Sequence, residues 1–455
     1  MNELEKLFAK TKTENGDDAY NTTGDKLLDI LFMTEYYSEH LDEVRIGNSE
    51  KEKLFAMFIR DGRLGIGKRD LGRELMKQAE VSAENVVKAG RFDDLYHNPI
   101  DRNIEWLKQE VMNGNALAKK WCPRLNSKDR KIAKLLCKAW GLTEKRYRKL
   151  IKVDTTENKL SRKRINEIEF DKVPSLAMLK YYNRFMKEER FQKYLEKVKK
   201  GEKKLNVATT TVYDIYRNRE TIDADLFFDK IEKIKINCVP ILDTSGSMWD
   251  SYDSIGKAMS VAHYLAKCST FCNNQVISFS SEPKLITISD VEDKPKFVTR
   301  KAFDWFTGRT IDVQVRVKSE TTDRFGTKNK YCRELNSMYT GDCSNTDFGA
   351  VMDLLQSMET VPDYFVVLSD MQFDCGSNQS KKETMRLFKE RGFKTKIIWW
   401  NFCADNKTAP ELDEYGNIFL SGYSPYLLKY LESGFDGKMF LDKLLKEYEK
   451  QLTIS

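Results

Sequence analysis

Histidine is scarce in this chain: three residues occur among 455, at positions 40, 97 and 263. They lie far apart and lack the HxxxH spacing that brings two zinc ligands to one face of a helix. The nine cysteines include no CxxC pair, which argues against a metal-binding or redox motif and favours free thiols. A zinc site and a disulfide framework are therefore not expected.

Long apolar runs are also missing. No stretch approaches the roughly 20 apolar residues that a membrane-spanning helix needs, and the opening MNELEKLFAK mixes charges with Leu and Phe instead of forming a signal-peptide core. We therefore expect an intracellular, cytoplasmic protein without a membrane partner. Hydrophobic residues make up 40% and charged residues 32%, the balance of a globular chain, and the length favours two or three domains.

The first half of the chain reads as helical, because apolar residues recur at helical spacing from about residue 25 to residue 200. In DRKIAKLLCKAWG the inward-facing residues are expected to be Ile132, Leu135, Leu136, Ala139 and Trp140. A long helix is expected to begin near Pro174 and to turn inward Leu176, Leu179, Tyr182 and Met186. Helix pairs without a strict repeat favour an all-α, HEAT-like domain over residues 1–230.

After residue 230, short β-rich runs alternate with helical segments; the runs are KINCVPIL, QVISFS, YFVVLS, KTKIIWW and NIFL. Runs so continuously apolar are expected in a parallel sheet that is buried on both faces. We predict an α/β doubly wound, mostly parallel-sheet domain over residues 231–455. The polar stretch within 307–345 interrupts this alternation, and we interpret it as a loop excursion near the site end of the sheet.

Oxygen-bearing side chains follow two of these predicted strands. Asp243, Ser245 and Ser247 come after the first strand, Asp370 follows YFVVLS, and Thr346 opens a helical segment. Carboxyl ends of parallel strands meet at one edge of a sheet, so these oxygens are expected to converge there. Such oxygens suit Mg²⁺ or Mn²⁺. The alternative for DTSGS taken alone is a turn that caps a helix.

The order DxSxS, then Thr, then Asp after an apolar strand resembles the metal-ion-dependent adhesion site of von Willebrand A domains, over residues 235 to 450. We expect Ser245, Ser247 and Thr346 to ligate the ion directly. Asp243 and Asp370 would coordinate it directly or through water. One coordination position would stay open for an acidic partner, so the site is expected to serve binding and not catalysis.

Four helical segments carry a second resemblance: FIRDGRLGIGKRD, AGRFDDLY, LAKKWCPR and AWGLTEKRYRKLI. They are similar to the TROVE region of Ro 60 kDa-like proteins and to a related uncharacterised family. Those proteins join a helical-repeat region to a carboxy-terminal von Willebrand A domain, the order expected here. The resemblance implies RNA binding.

The charge distribution supports RNA independently, because residues 101–200 carry 28 Lys or Arg against 13 Asp or Glu. Our candidate nucleic-acid contacts are Lys119, Lys120, Arg124, Lys128, Arg130, Lys131, Lys134, Arg146, Arg148 and Lys149. The alternative is that these cations merely solvate outer helix faces. Trp121, Trp140 and Tyr147 lie among them and could stack on bases, but at helical spacing a place in the core is the stronger interpretation.

The segment GRLGIGK imitates the first part of a phosphate-binding P-loop. Arg69, however, stands where Ser or Thr would hold Mg²⁺, and the preceding KLFAMFIR reads as an amphipathic helix instead of a strand. We interpret the segment as a glycine-rich turn between helices and expect no catalytic residues. A thiol hydrolase that pairs a cysteine with His263 also lacks a local signature.

The leading hypothesis is a non-enzymatic RNA-binding or ribonucleoprotein scaffold whose metal site recruits an acidic protein. The first alternative is a metal-dependent assembly module without RNA, in which the basic segment meets an acidic protein surface. The second alternative, a hydrolase, lacks its full set of residues.

Overall fold

The computed structural model describes residues 10–97, 101–290, 296–304, 309–317, 329–409, 418–423, 427 and 440–454. The helices up to residue 230 are α1 (Lys26–Phe32), α2 (Thr34–Glu39), α3 (Glu50–Arg60), α4 (Arg69–Gln78), α5 (Ala83–Ala89), α6 (Asp94–His97), α7 (Asp101–Met112), α8 (Ala116–Trp121), α9 (Arg130–Ala139), α10 (Glu144–Leu150), α11 (Thr156–Ser161), α12 (Ser175–Phe185), α13 (Glu189–Lys199), α14 (Val212–Asn218) and α15 (Ala224–Lys230). The expected helical character of the first half is confirmed, but the half is not all-α as predicted, because Lys10–Lys12 and Asp18–Tyr20 form two short paired strands. Its HEAT-like character remains a prediction.

Polar side chains define where several of these helices begin. At the start of α3, Ser49 accepts a hydrogen bond from the Glu52 amide, and the Glu52 carboxylate accepts one from the Ser49 amide. This capping box satisfies amide groups that have no partner inside the helix. Thr211 and Asp214 form the same arrangement at α14. Local sequence thus fixes the helix starts.

Two details of the helical half differ from expectation. The long helix expected from Pro174 is divided into α12 and α13, and both Leu176 and Met186 are exposed. Leu135 on α9 is also exposed, by 64%, whereas its neighbour Leu136 is buried; Ala139, likewise expected to face inward, is exposed beside the buried Trp140. Adjacent apolar residues point about 100° apart on a helix, so one of such a pair can face outward.

The strands are β1 (Lys10–Lys12), β2 (Asp18–Tyr20), β3 (Cys238–Asp243), β4 (Gln275–Phe279), β5 (Lys284–Thr287), β6 (Lys296–Asp304), β7 (Arg309–Val317), β8 (Tyr364–Ser369), β9 (Lys396–Asn401) and β10 (Ile418–Ser421). Six of them form one sheet in the order β10-β9-β8-β3-β4-β5. All pairs in it are parallel except β4 with β5. The second half is therefore a mixed, mostly parallel sheet with helices, as expected.

The interrupting stretch is not a simple loop excursion, which corrects the sequence interpretation. β6 and β7 pair antiparallel as a hairpin of their own, and helix α17 (Lys330–Ser337) follows. The period-two signal was present, because Ile311, Val313, Val315 and Val317 alternate with polar residues. The polar residues between them concealed it.

The sheet is buried on both faces. One face carries Leu242, Val366, Leu368 and Trp400 into a core that is continuous with the helical half. The opposite face buries Ile241, Val367 and Trp399 among other residues. The helices of this half are α16 (Ser254–Cys268), α17, α18 (Phe348–Gln356), α19 (Ser377–Glu390) and α20 (Phe440–Ile454); α16 packs on the first face and α18 and α19 on the second.

Contacts cross the expected boundary at residue 230 in both directions. Phe32 of α1 packs edge-on against Phe419 of β10, with ring centroids 4.8 Å apart. Near the other end of the chain, Tyr448 of α20 packs against Phe58 of α3 at 5.3 Å. The division into residues 1–230 and 231–455 remains a prediction, and the structure adds that the two parts share a core.

An ion network lies in this shared contact. Glu35 of α2 is buried, and its two oxygens lie 2.6 Å from Lys68 Nζ and 3.0 Å from Lys257 Nζ. Burial alone would raise the pKa of Glu35, but the two ammonium groups outweigh it and hold the pKa below its usual value. Lys257 belongs to α16, so Glu35 connects the helical half to the sheet.

We expect Glu35→Gln to lower the free energy of unfolding by on the order of 3 kcal/mol, because it leaves two largely buried lysines without a counter-charge. Urea denaturation at neutral pH measures this loss. In the wild type the same stabilisation is present above the unfolded pKa near 4.5 and is lost as pH falls through the lowered folded-state pKa. Glu39→Gln, an exposed position on the same helix, is the control, and an equal loss there would contradict the prediction.

Candidate metal centre and nucleic-acid interface

The candidate metal ligands lie where the sheet reverses its order. β3 continues to its neighbour β4 on one side, whereas β8, paired with β3 on the other side, continues to β9. Connections from β3 and β8 therefore leave in opposite directions, and a crevice opens between their carboxyl ends. Asp243 is the last residue of β3, and Asp370 directly follows β8. The fold places both carboxyl groups at this crevice.

Hydrogen bonds fix the Asp243 side chain. The Ser245 amide donates to Asp243 Oδ1 at 2.9 Å, and the Ser369 hydroxyl donates to Asp243 Oδ2 at 2.6 Å. The Ser245 and Ser247 hydroxyl oxygens lie 3.2 Å apart. Ser245 is buried, while Ser247 is exposed. The first predicted loop thus presents three oxygen side chains, one of them reachable from solvent.

The other two predicted ligands lie on loops that contact each other. Asp370 Oδ1 accepts a hydrogen bond from the Gln372 amide at 3.1 Å, and the hydroxyl of the preceding Ser369 donates to Asp243, which ties this segment to the first loop. The Thr346 carbonyl accepts from the Asp374 amide at 2.9 Å. The structure therefore brings the loops of all five predicted ligands together.

The two carboxyl groups lack a counter-charge. In the described part of the chain, neither Asp243 nor Asp370 has a Lys, Arg or His partner within 4.0 Å; their partners are hydroxyl and amide groups. Burial raises the pKa of Asp243 to about 6. Burial and then repulsion from Asp243 raise the pKa of Asp370 to about 7. At neutral pH such a pair is stabilised by a proton or by a cation.

This donor set is suited to a hard divalent cation. It combines two carboxylates with three hydroxyls, the oxygen ligands that Mg²⁺ and Mn²⁺ accept. Elsewhere in the described residues, and here as well, no group of three or more His, Cys, Asp or Glu side chains that could hold a metal is found. The candidate set relies instead on hydroxyl oxygens from two serines and a threonine beside its two carboxylates.

The candidate RNA contacts lie on α8, α9, α10 and the segments between them. Among the described residues, these cations have no carboxylate within 4.0 Å, apart from Arg148, which lies 3.6 Å from Glu144. Arg124 donates to the Ile151 carbonyl at 2.9 Å and so helps to hold the fold. We call the remaining eight residues the basic surface: Lys119, Lys120, Lys128, Arg130, Lys131, Lys134, Arg146 and Lys149.

The aromatic residues of this region separate into two groups. Trp140 and Tyr147 are buried, and the Tyr147 hydroxyl donates to the Pro123 carbonyl at 3.0 Å; their expected place in the core is confirmed. Trp121 is half-buried, with the Arg91 guanidinium 4.3 Å and Lys120 Nζ 5.3 Å from its ring centroid. Trp121 is therefore the one of the three that a base could approach.

The P-loop-like segment serves packing in this structure. Lys68 is bound to Glu35, and the preceding element is the helix α3, as expected. A Cβ atom at Gly65 would lie 2.0 Å from the Phe58 carbonyl oxygen, and Gly67 has φ of +82°. Close approach and a left-handed turn thus account for these two glycines.

Sequence reasoning missed a residue at the candidate metal centre. The Asn15 side chain donates to the Thr346 hydroxyl at 3.4 Å and to the Gln372 carbonyl at 3.0 Å. Asn15 and Thr346 are 331 positions apart, and no local pattern links them. Only the folded chain shows this contact.

Comparisons with known proteins match parts of the chain to two families. Residues 142–237 match the domain of unknown function DUF2828, and residues 306–451 match the domain of unknown function DUF7788. An uncharacterized protein of Acanthamoeba polyphaga mimivirus is 23% identical over an alignment 508 positions long, which covers 92% of this chain and 83% of the relative.

Among solved structures, the crystal structure of the Deinococcus radiodurans RO (RSR) protein is similar. The match covers 93% of this chain and 94% of that chain, with 11% sequence identity and a TM-score of 0.38. No helix of the described residues combines the length and apolar character needed to cross a membrane.

We expect Asp370→Asn to stabilise the protein in the presence of a chelator at pH 8, because it removes one of two adjacent buried charges. In the wild type, the pKa values of Asp243 and Asp370 are higher in the folded state than in the unfolded state. Protonated carboxyl groups therefore contribute to the free energy of unfolding at low pH, and this contribution is lost as pH rises from about 4 to about 7. Melting temperatures at pH 5.5 and pH 8 measure the difference, expected to be on the order of 2 °C or more at pH 8.

Asp363→Asn is the matched control, because Asp363 is exposed and directly precedes β8, whereas Asp370 directly follows it. It should leave the melting temperature unchanged at both pH values. A lower melting temperature for Asp370→Asn than for the wild type at pH 8 would mean that repulsion between the two carboxylates does not destabilise the protein.

Proposed function

We propose that this protein is a non-enzymatic RNA-binding scaffold whose α/β domain holds a Mg²⁺ or Mn²⁺ ion that recruits an acidic partner. The observation that carries the RNA part is the basic surface, eight cations without a carboxylate partner among the described residues. The HEAT-like character of the helices and the von Willebrand A character of the sheet domain belong to the same proposal.

Electrostatics favours an anionic polymer on the basic surface. Lys131 and Lys134 are one helical turn apart, as are Lys134 and Lys138, and all three are exposed on α9. Like charges at this spacing repel each other and weaken the helix. Phosphates would relieve the repulsion and release the counterions that surround the nucleic acid, which is the main source of affinity in such complexes.

Bases would find a contact at the edge of the same surface. Trp121 is half-buried, and Lys120, its neighbour in sequence, belongs to the basic surface. Stacking on an aromatic ring is tolerant of base identity and typical of single-stranded RNA recognition. We therefore propose single-stranded or looped RNA as the ligand class.

The metal part of the proposal rests on the buried Asp243 and Asp370. Ser245, Ser247 and Thr346 would hold the ion with them, and a bound divalent ion would neutralise the two carboxylates. Ser247 is exposed, so a carboxylate from an acidic partner can approach from that side. We propose no nucleotide chemistry at the P-loop-like segment, because Lys68 is bound to Glu35.

For the RNA part, we expect the triple variant Lys128→Glu, Lys131→Glu, Lys134→Glu to weaken RNA binding by about 10-fold or more near 0.1 M salt. The slope of log Kd against log salt should become shallower by about 2, because binding releases fewer counterions when three phosphate contacts are lost. Fluorescence anisotropy with a labelled single-stranded RNA at several salt concentrations measures both quantities.

The control variant Lys443→Glu, Lys446→Glu, Lys450→Glu makes the same change of net charge at exposed positions on α20. It should alter affinity and slope far less. Equal losses in the two triple variants would show that only the net charge matters and would contradict an interface on α9.

For the metal part, we expect Mg²⁺ or Mn²⁺ to raise the melting temperature of the wild type. The melting temperature of the Asp243→Asn variant should not change when the ion is added. Binding to the native state alone adds about 2.7 kcal/mol when the ion is present at 100 times its Kd. Differential scanning calorimetry with chelator or with added ion measures the shift. Identical melts of the wild type in both conditions would refute the metal site.

A second candidate function has one specific observation in its favour. Leu117 and Leu135 are exposed by 58% and 64%, and both lie among the cations of the basic surface. Apolar anchors surrounded by lysines suit an acidic amphipathic helix of another protein. This assembly function would be preferred if the lysine triple variant leaves RNA binding unchanged.

A further inference from the structure

The first described segment of the chain lies against the metal centre of the α/β domain. β1 and β2 form a small antiparallel hairpin, and residues 13–17 connect them. The Gly16 backbone pairs with Asp374, and Tyr20 pairs with Ala409. A hairpin from the start of the chain is thus docked on the loop that carries Asp370.

Several hydrogen bonds fix this position. The Thr13 hydroxyl donates to the Phe373 carbonyl at 2.6 Å, and the Glu14 amide donates to Gln372 Oε1 at 2.9 Å. The Gly376 amide donates to Asp17 Oδ1 at 3.1 Å. Partners on both sides of Asp374 hold the connection between β1 and β2, so its place beside Asp370 is well determined.

Asn15 is the residue of this connection that reaches a predicted metal ligand. Its Nδ2 atom lies 3.0 Å from the Gln372 carbonyl oxygen and 3.4 Å from Thr346 Oγ1. A carbonyl oxygen only accepts hydrogen bonds, so the amide nitrogen, and not Oδ1, must face it. The second hydrogen of the same NH₂ group then points to the Thr346 hydroxyl oxygen.

We propose that the connection between β1 and β2 is a fourth element of the metal site and that Asn15 is a positioning residue for Thr346. This inference rests on the proposed metal site. A hydroxyl oxygen has two lone pairs. When Asn15 donates to one of them, the other is left to face the ion, and the threonine side chain is held in a single orientation.

The Gln372 side of the contact extends the same effect to Asp370. The Gln372 amide donates to Asp370, while its carbonyl accepts from Asn15. Asn15 therefore contacts one predicted ligand, Thr346, directly, and it also contacts Gln372, which donates to a second predicted ligand, Asp370. Residues that orient metal ligands in this way typically change metal affinity by about 10- to 100-fold when they are removed.

The test compares Asn15→Ala with Asn378→Ala in the full chain by calorimetric titration with Mn²⁺. Asn378 on α19 donates to the Asp18 carbonyl, so its replacement loosens the hairpin without removing a contact to Thr346 or Gln372. We expect Asn15→Ala to weaken Mn²⁺ binding about 10-fold or more and Asn378→Ala to change it less than about two-fold.

Three other outcomes would refute either the proposed metal site or the role of Asn15. If the wild type does not bind Mn²⁺, the proposed metal site and this inference both fail. If the wild type binds and Asn15→Ala binds equally well, only the role of Asn15 fails. If both variants lose the same affinity, the hairpin acts as a whole, and a specific positioning role for Asn15 is refuted.

Discussion

A mostly parallel sheet must be covered on both faces, and here the amino-terminal helices contribute to the core on each face. On one face the core runs without a break from α3 and α4 to β8, β9 and β10. The cost of exposing such a face to water ties the two halves of the chain together. Glu35, which pairs with Lys68 from one half and Lys257 from the other, lies within this contact.

The same constraint determines how the candidate metal centre is built. Its carboxyl groups come from adjacent central strands, because the order of the sheet reverses between β3 and β8. Its fourth side comes from residues 13–17, which dock on the loop after β8. Segments from both halves of the chain therefore meet at one site, and a ligand bound there would be sensitive to how the halves pack.

Much of this architecture was readable from the sequence, because its signals are local. A strand that ends at Asp243, or directly before Asp370, is a short pattern, and the order of the strands then brings the two residues together. Leu135 was misassigned because helical periodicity does not distinguish between two adjacent apolar residues. The contact between Asn15 and Thr346 had no signal, since it depends on a tertiary docking across 331 positions.

Contacts within the protein account for the glycines and the lysine of the P-loop-like segment. A lysine that binds phosphate needs its ammonium group free, whereas Lys68 Nζ lies 2.6 Å from the buried Glu35. Moving Lys68 to a nucleotide would leave Glu35 with Lys257 alone in a buried position, which costs several kcal/mol unless a new partner arrives. The glycines beside it allow α3 and the following turn to approach closely. Charge and packing in this segment thus favour the junction between the halves over nucleotide chemistry.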